Sequence, residues 1–309
     1  MQILLPSMRI GQYFRGNLHG HSTHSDGEYT PEQVIQFYHR LGYDFTCLSD
    51  HLWTDTSYAA TSVLDASALC PDGFLTIPSA ELHCRGKKYD QDGLWHIVAN
   101  GLPLDFKVAD ETETGPQMVS RALAAGAFVS IAHPEWYSLT SEEALSVSHA
   151  HAVEIYNHSC FVESQRYSGI MTADQLLQEG KQIGVTATDD SHFRNADAGG
   201  GWVMVAAKSL SQDAIISALK NKHYYASTGP DFHGLYIKDK QLVIECSAAE
   251  QINLVGAGYQ SMSRHGPNLT RAEFDLSDFH SDWFRITILA GNAKKAWSNP
   301  YWISQLSDA

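Results

Sequence analysis

Seven short apolar runs, six of them ending in a residue of metal-ligand type, constrain this chain more than any other feature. The approach Tyr13, Phe14 and Leu18 delivers His19-Gly20-His21, and Tyr43 to Leu48 delivers Asp50-His51. Phe74 to Pro78 leads to Glu81, and Ala127 to Ala132 stops at His133. Ala152 to Tyr156 runs into Asn157-His158, and Ile183 to Thr188 empties into Asp189-Asp190-Ser191-His192. The exception, Leu94 to Ala99, carries His96 inside it. Histidines kept only as hydrogen-bonded core residues would fall anywhere along strands. Here they gather at trailing ends, where α/β barrels place active sites.

The first run is the most explicit. Residues i and i+2 of a strand share a face, so His19 and His21 converge on one point. Asp26 follows in Ser25-Asp26-Gly27, with a glycine to turn the chain. Nitrogen and carboxylate donors in this arrangement suit a transition metal.

The connections support a βαβ pattern and thus a parallel sheet or barrel. Thr30-Pro31-Glu32-Gln33 reads as a capping box opening a helix whose face is Val34, Tyr38 and Leu41. A second helix follows Thr114-Gly115-Pro116, and Thr172 with Gln175 predicts a further capping box. Ser211 caps a helix through Ile215, Ile216 and Leu219. Beyond about residue 225 the texture becomes all-β, with a tight turn at Asp239-Lys240 joining two short runs. The sequence therefore divides into an α/β unit, residues 1–228, and a small all-β, sandwich-like unit, residues 229–309, joined at Ser227-Thr228-Gly229-Pro230.

Composition narrows the function. The 35 acidic residues outnumber the 21 Lys and Arg, for a formal charge of −14. Long nucleic acids are bound mainly by neutralising phosphates with cations, so that class of partner is disfavoured. Five scattered cysteines without a Cys-x-x-Cys pair point to reduced thiols and a cytoplasmic protein. No apolar run approaches the roughly 20 residues of a membrane span, and Met1 to Pro6 lacks the features of a signal peptide. There is no phosphate-binding Gly-x-x-x-x-Gly-Lys loop and no Gly-x-Ser-x-Gly elbow.

The ordered set His-x-His, Ser-Asp-Gly, Asp-His, Glu, His-Pro, Asn-His and Asp-x-His resembles the polymerase and histidinol phosphatase (PHP) family of metal-dependent phosphoesterases, over residues from about 15 to 228. The resemblance implies an α/β fold, a distorted seven-stranded β/α barrel, with two or three divalent metals (Zn, Mn or Fe) at the strand ends. By that match the metal ligands are His19, His21, Asp26, His51, Glu81, His133, Asp190 and His192, with Glu81 as the bridge and Asp50 orienting His51. Either Asn157 or His158 supplies a further ligand, and His158 is the better donor chemically. Glu81, Asp190 and His192 would organise catalysis. His96, or His158 if it binds no metal, could protonate the leaving group. His83 shares the facing of Glu81, whereas His24 points away from the pair, and Asp189 supports its neighbour. Arg85 and Arg194 sit close to ligand motifs and could either hold a phosphate or form surface salt bridges.

The expected activity is hydrolysis of a small phosphorylated substrate, a phosphomonoester or nucleotide-type phosphodiester, by a metal-activated water. Two alternatives are a nuclease or exonuclease acting on short ends, and a metal-binding regulatory protein without hydrolysis.

Overall fold

The computed structural model describes residues 1–6, 12–55 and 57–306, and each of the seven apolar runs contains a strand. The chain begins with β1 (Gln2–Leu5), β2 (Tyr13–Asn17), α1 (Pro31–Arg40), β3 (Phe45–Leu48) and the two-residue β4 (His51–Leu52). Next come β5 (Leu75–Leu82), β6 (Ile97–Asn100), α2 (Gly115–Ala124), β7 (Phe128–Ile131) and α3 (Ser141–Ser146). Then follow β8 (Ala152–Asn157), α4 (His158–Glu163), α5 (Ile170–Gln178), β9 (Gly184–Thr188), β10 (Trp202–Ala206) and α6 (Gln212–Lys220).

Strand β2 pairs in parallel with β3, β3 with β5, β7 with β8, and β8 with β9. Just beyond the ends of β9 and β2, Ser191 and Gly20 form a parallel bridge. There the Asp190 N–H donates to His19 O and the His21 N–H to Ser191 O, both at 2.8 Å. The two richest ligand motifs are thereby fastened together by backbone.

One strand departs from the parallel expectation. β6 runs antiparallel to both β5 and β7. The reason is the connection: residues 84–95 fold back as a hairpin excursion, with Gly86 N–H donating to Gly93 O and Trp95 N–H to Cys84 O. A parallel neighbour would need a crossover of a dozen or more residues, usually helical. The reversal explains His96. It precedes β6, so the leading end of this strand lies beside the trailing ends of the others.

The helix α1 begins as its capping box predicts, with Thr30 and Gln33 bonding reciprocally. Val34, Ile35 and Tyr38 are buried, but Leu41 is the C-cap and exposed. The α5 prediction is displaced. Gly169 is the N-cap and Thr172 lies within the first turn, because the apolar face recruits Ile170 and Ala173 to the core. A capping box that the sequence reading missed, Thr140 with Glu143, opens α3.

The remaining strands are β11 (Tyr224–Ser227), β12 (Phe232–Lys238), β13 (Gln241–Val255), β14 (Ser261–Asp275), β15 (Trp283–Leu289), β16 (Lys295–Ser298) and β17 (Tyr301–Trp302). Among the described residues no α-helix follows α6. Asp239 and Lys240 both have positive φ, 52° and 61°, the backbone that a two-residue hairpin turn requires. Hydrogen bonding does not stop at residue 228: β2 pairs with β10, β10 with β11, β11 with β16, and β16 with β15. From β15 it continues to β13, β12 and finally β1, which belongs to the opposite end of the chain.

Candidate metal centre

The strand ends converge on a cavity of about 360 Å³ whose lining includes Asp26, His51, Glu81, His83, His96, His133, Asp190, His192 and Arg194. At its floor Glu81 is 1% exposed and presents its two oxygens in different directions. Oε2 lies 3.5 Å from the Nε2 atoms of both His19 and His21. Asp190 Oδ1 completes that group, 3.1 Å from His19 Nε2 and 2.9 Å from His21 Nε2. Oε1 lies 2.8 Å from His96 Nδ1 and 3.2 Å from His133 Nε2. A third group surrounds Asp26 Oδ1, with the Nε2 atoms of His51 and His192 each 3.5 Å away and His21 Nδ1 at 3.9 Å.

Three carboxylates hold these groups in place, and each does a different job. Asp50 accepts from the backbone of Ser22 and Ser25 and from both their hydroxyls, at 2.7 to 3.1 Å. It therefore fixes the turn that aims Asp26, and does not orient His51 as the sequence suggested. Asp189 is fully buried and accepts from the N–H groups of Gly199, Gly200 and Gly201 and from the Tyr38 hydroxyl. It ties the end of β9 to the glycine loop and to α1, next to Asp190 in the chain.

Glu154 is the third, and the sequence reading missed it. Its Oε1 is 2.8 Å from His19 Nδ1 and accepts from Thr188 Oγ1, while Oε2 accepts from His133 N–H and Asn157 Nδ2. The signal was present: an acid alternating with Val153 and Ile155 inside a buried run has to point at something polar.

Other predicted residues sort clearly. His158 stands outside every ligand-like group. Its Nδ1 is 2.8 Å from the Tyr156 hydroxyl, and its ring packs over Gly200, where any Cβ would lie only 2.2 Å away. Asn157 faces the site instead, donating to both Glu154 and Asp190 while its Oδ1 caps α4. The first helical residue of α4 cannot turn back over the strand end, which is why the better donor loses the position. His96 joins Glu81 and His133, and its other nitrogen faces Asp90 at 3.8 Å. Arg85 is exposed and does not line the cavity. Arg194 does, and it donates to the Asp26 carboxylate at 2.9 Å. His24 bonds to Ser62 O, away from the cluster.

The donor set fits divalent metal. His19 and His21 bring their Nε2 atoms to 3.3 Å, facing two carboxylate oxygens, a cluster of lone pairs that only protons or a cation can stabilise. His21 Nδ1, Asp26 Oδ1 and His133 Nδ1 are buried without a hydrogen-bond partner among the described residues. Neutral nitrogen with carboxylate oxygen suits Zn, Mn or Fe.

The electrostatics agree. Burial alone would lower the His19 pKa, yet Asp190 and Glu154 carry it well above the usual value. Burial together with His192 and His51 pushes His21 down to about 4, so its imidazole is neutral at pH 7. Burial would raise Glu81, but His51, His133 and His19 hold its carboxyl well below the usual range.

No protein-family model and no curated protein matches this chain. Among solved structures it aligns with a two-domain protein containing a predicted PHP-like metal-dependent phosphoesterase from Bacteroides vulgatus, at 17% identity and a TM-score of 0.55, with 98% of each chain covered. It also aligns with an amidohydrolase from Chromobacterium violaceum at 16% identity and a TM-score of 0.45, covering 59% of this chain and 89% of that one. The first likeness spans essentially the whole chain, and the architecture it establishes is a mixed α/β, PHP-like fold.

Proposed function

We propose that this protein is a multinuclear metal-dependent phosphoesterase acting on a small phosphorylated substrate. The observation that carries this reading is Glu81, one buried carboxylate whose oxygens each face a separate group of ligand-type side chains. The closed run of pairings from β2 to β9 supports a distorted seven-stranded barrel, and the helix-free stretch after α6 supports a small all-β unit packed against it.

His19, His21, Glu81 and Asp190 would hold one ion. Glu81, His96 and His133 would hold a second, and Asp26, His51 and His192, with His21 beside them, a third. Divalent ions held there supply Lewis acidity for the phosphoryl oxygens and lower the pKa of a water to near neutrality. The protein contributes the rest. Glu154, donating nothing and accepting from His19 Nδ1, keeps the His19 Nε2 lone pair on the cavity side. Trp136, its ring 5.3 Å from His133 and 5.5 Å from His96, walls the mouth and limits water around the histidines.

Among the described residues, Arg194 is the single Lys or Arg that lines the cavity. It can hold one phosphate, while Asp90, Asp92 and Glu163 around the same cavity repel a polyanion. That favours a compact phosphate ester over the nuclease alternative. Cys47, Cys70, Cys84, Cys160 and Cys246 are all unpaired thiols, in keeping with the cytoplasmic reading. No helix among the described residues is long and apolar enough to cross a membrane.

The test is a phosphate-release screen of the Mn-, Fe- or Zn-reconstituted protein over sugar phosphates, nucleotides and model diesters, alongside elemental analysis. Two or three ions per chain with release from at least one class is expected. Bound metal with no release from any class would favour the regulatory reading. Arg194→Gln should raise KM about tenfold or more when assayed with metal in excess, because a charged hydrogen bond to phosphate is worth roughly 1.5–3 kcal/mol. Unchanged KM would remove Arg194 from substrate binding. Glu154→Gln should weaken metal retention about 10- to 100-fold in chelator competition, the usual scale for a lost carboxylate behind a ligating histidine. Retention equal to the parent protein would show that His19 needs no such partner.

A further inference from the structure

His83 is left over from the three groups just described, yet it is 1% exposed and two residues after Glu81 on the same face. Its Nδ1 lies 2.9 Å from the carbonyl oxygen of Trp95. A carbonyl only accepts, so His83 Nδ1 carries the ring hydrogen and the Nε2 of the neutral ring presents a lone pair. That lone pair faces His51 Nδ1 at 2.7 Å, and His51 must be the donor. A neutral imidazole has a single N–H, so His51 Nε2 is then the open nitrogen. It is the one that faces Asp26.

We propose that His83 is a positioning residue that accepts the His51 Nδ1–H and so frees Glu81 for its bridging role. The freeing follows from competition for one hydrogen. Glu81 Oε2 also lies 2.8 Å from His51 Nδ1, and without His83 it would be that nitrogen's sole acceptor, with the tautomer unchanged. With His83 accepting, Oε2 keeps its lone pairs for the group formed with His19, His21 and Asp190. The chain Trp95 carbonyl, His83, His51 thus serves two groups at once. His51, Glu81 and His83 also lie close enough to ligate an ion of their own. That ion would require His51 to bind through both nitrogens after losing its last ring hydrogen, whereas the hydrogen-bond chain requires only the neutral ring.

This inference rests on the metal-centre reading, and its test keeps the two apart. In the full-length protein, His83→Asn retains an amide N–H for the Trp95 carbonyl but cannot reach His51. His83→Gln places an amide oxygen near the former Nε2. Zinc affinity is measured by chelator competition. The His51 tautomer is measured by long-range proton–nitrogen correlation spectra at alkaline pH, in metal-free and zinc-loaded protein, with His51 assigned through His51→Gln. Expected are an Nδ1–H tautomer in the parent protein and in both variants, since Glu81 remains an acceptor, with a loss of about 10- to 100-fold in zinc affinity in His83→Asn and recovery of most of it in His83→Gln. The proposal is overturned by an Nε2–H tautomer in the parent, by equal behaviour of the Asn and Gln variants, or by one whole zinc ion lost with His83. A parent protein that binds no metal would overturn the metal-centre reading itself, while the metal-free spectrum would still decide the tautomer.

Discussion

Glu81→Gln is expected to lose at least one metal ion and to lower turnover by more than about a hundredfold, the scale of a lost or misplaced water-activating ion. The substitution preserves volume, so the 1% exposed position should still pack. It replaces one acceptor oxygen by an NH₂ group that cannot ligate. Either oxygen matters, because Oε1 serves His96 and His133 while Oε2 serves His19 and His21. It also removes a negative charge that surrounding histidines hold ionised against the cost of burial. Asp72→Asn, in the exposed turn before β5, is the control and should leave both quantities nearly unaltered. Full metal content with a near-normal rate in Glu81→Gln would show that the two groups do not share an ion pair through this residue, and would end the multinuclear proposal in its present form.

What the sequence made legible follows one physical rule. Residues whose placement depends on strand periodicity were readable, because alternation fixes a side chain's face. His19, His21, Glu81 and the Asp190-Ser191-His192 turn all fall where two-residue spacing puts them. Roles that depend on a chain reversal were not. His96 was read as a proton donor within a strand-like run; its place beside Glu81 and His133 comes from β6 running antiparallel to its neighbours, and nothing local in Leu94 to Ala99 encodes that direction. His158 failed for a related reason. The strand β8 passes directly into α4, so the residue that looks like a strand-end ligand is already helical, and Asn157 takes the inward position. Glu154 was hidden by being unaccompanied, a single acid in an apolar run, although that isolation was itself the clue. The apparent linker at Ser227-Thr228-Gly229-Pro230 had the right composition for a boundary. Its backbone is nevertheless tied to Lys295, Thr228 N–H donating to Lys295 O at 2.8 Å, a long-range contact that composition cannot report.

That tie leads to the other large effect: a chain ending at Pro230 is expected neither to melt cooperatively nor to retain metal. Besides the β11–β16 and β1–β12 pairings, side chains of the removed segment reach the metal-bearing half. Arg285 grips Asp174 of α5 with two hydrogen bonds of 2.9 and 2.8 Å while only 6% exposed. Asn299 accepts from the Val185 N–H of β9 at 3.0 Å and donates to Tyr224 O at 2.8 Å. Trp283 and Trp297 sit in one hydrophobic cluster with Ile155, Leu176 and Val185. The Arg285–Asp174 pair itself contributes little, about 0–1 kcal/mol, because Asp174 is 23% exposed and meets water once the segment is gone. Removing each buried tryptophan costs about 3–5 kcal/mol. Even without full additivity these losses rival the roughly 5–15 kcal/mol that holds a domain folded. They also fall on β8 and β9, the strands that carry Asn157, Asp190 and His192. Circular-dichroism melting and elemental analysis of the truncated chain, with full-length Trp297→Ala as the graded comparison, read the result. A soluble truncation with a cooperative melt and the parent's metal content would show that the C-terminal strands are a dispensable module, and that β9 keeps its shape without Asn299.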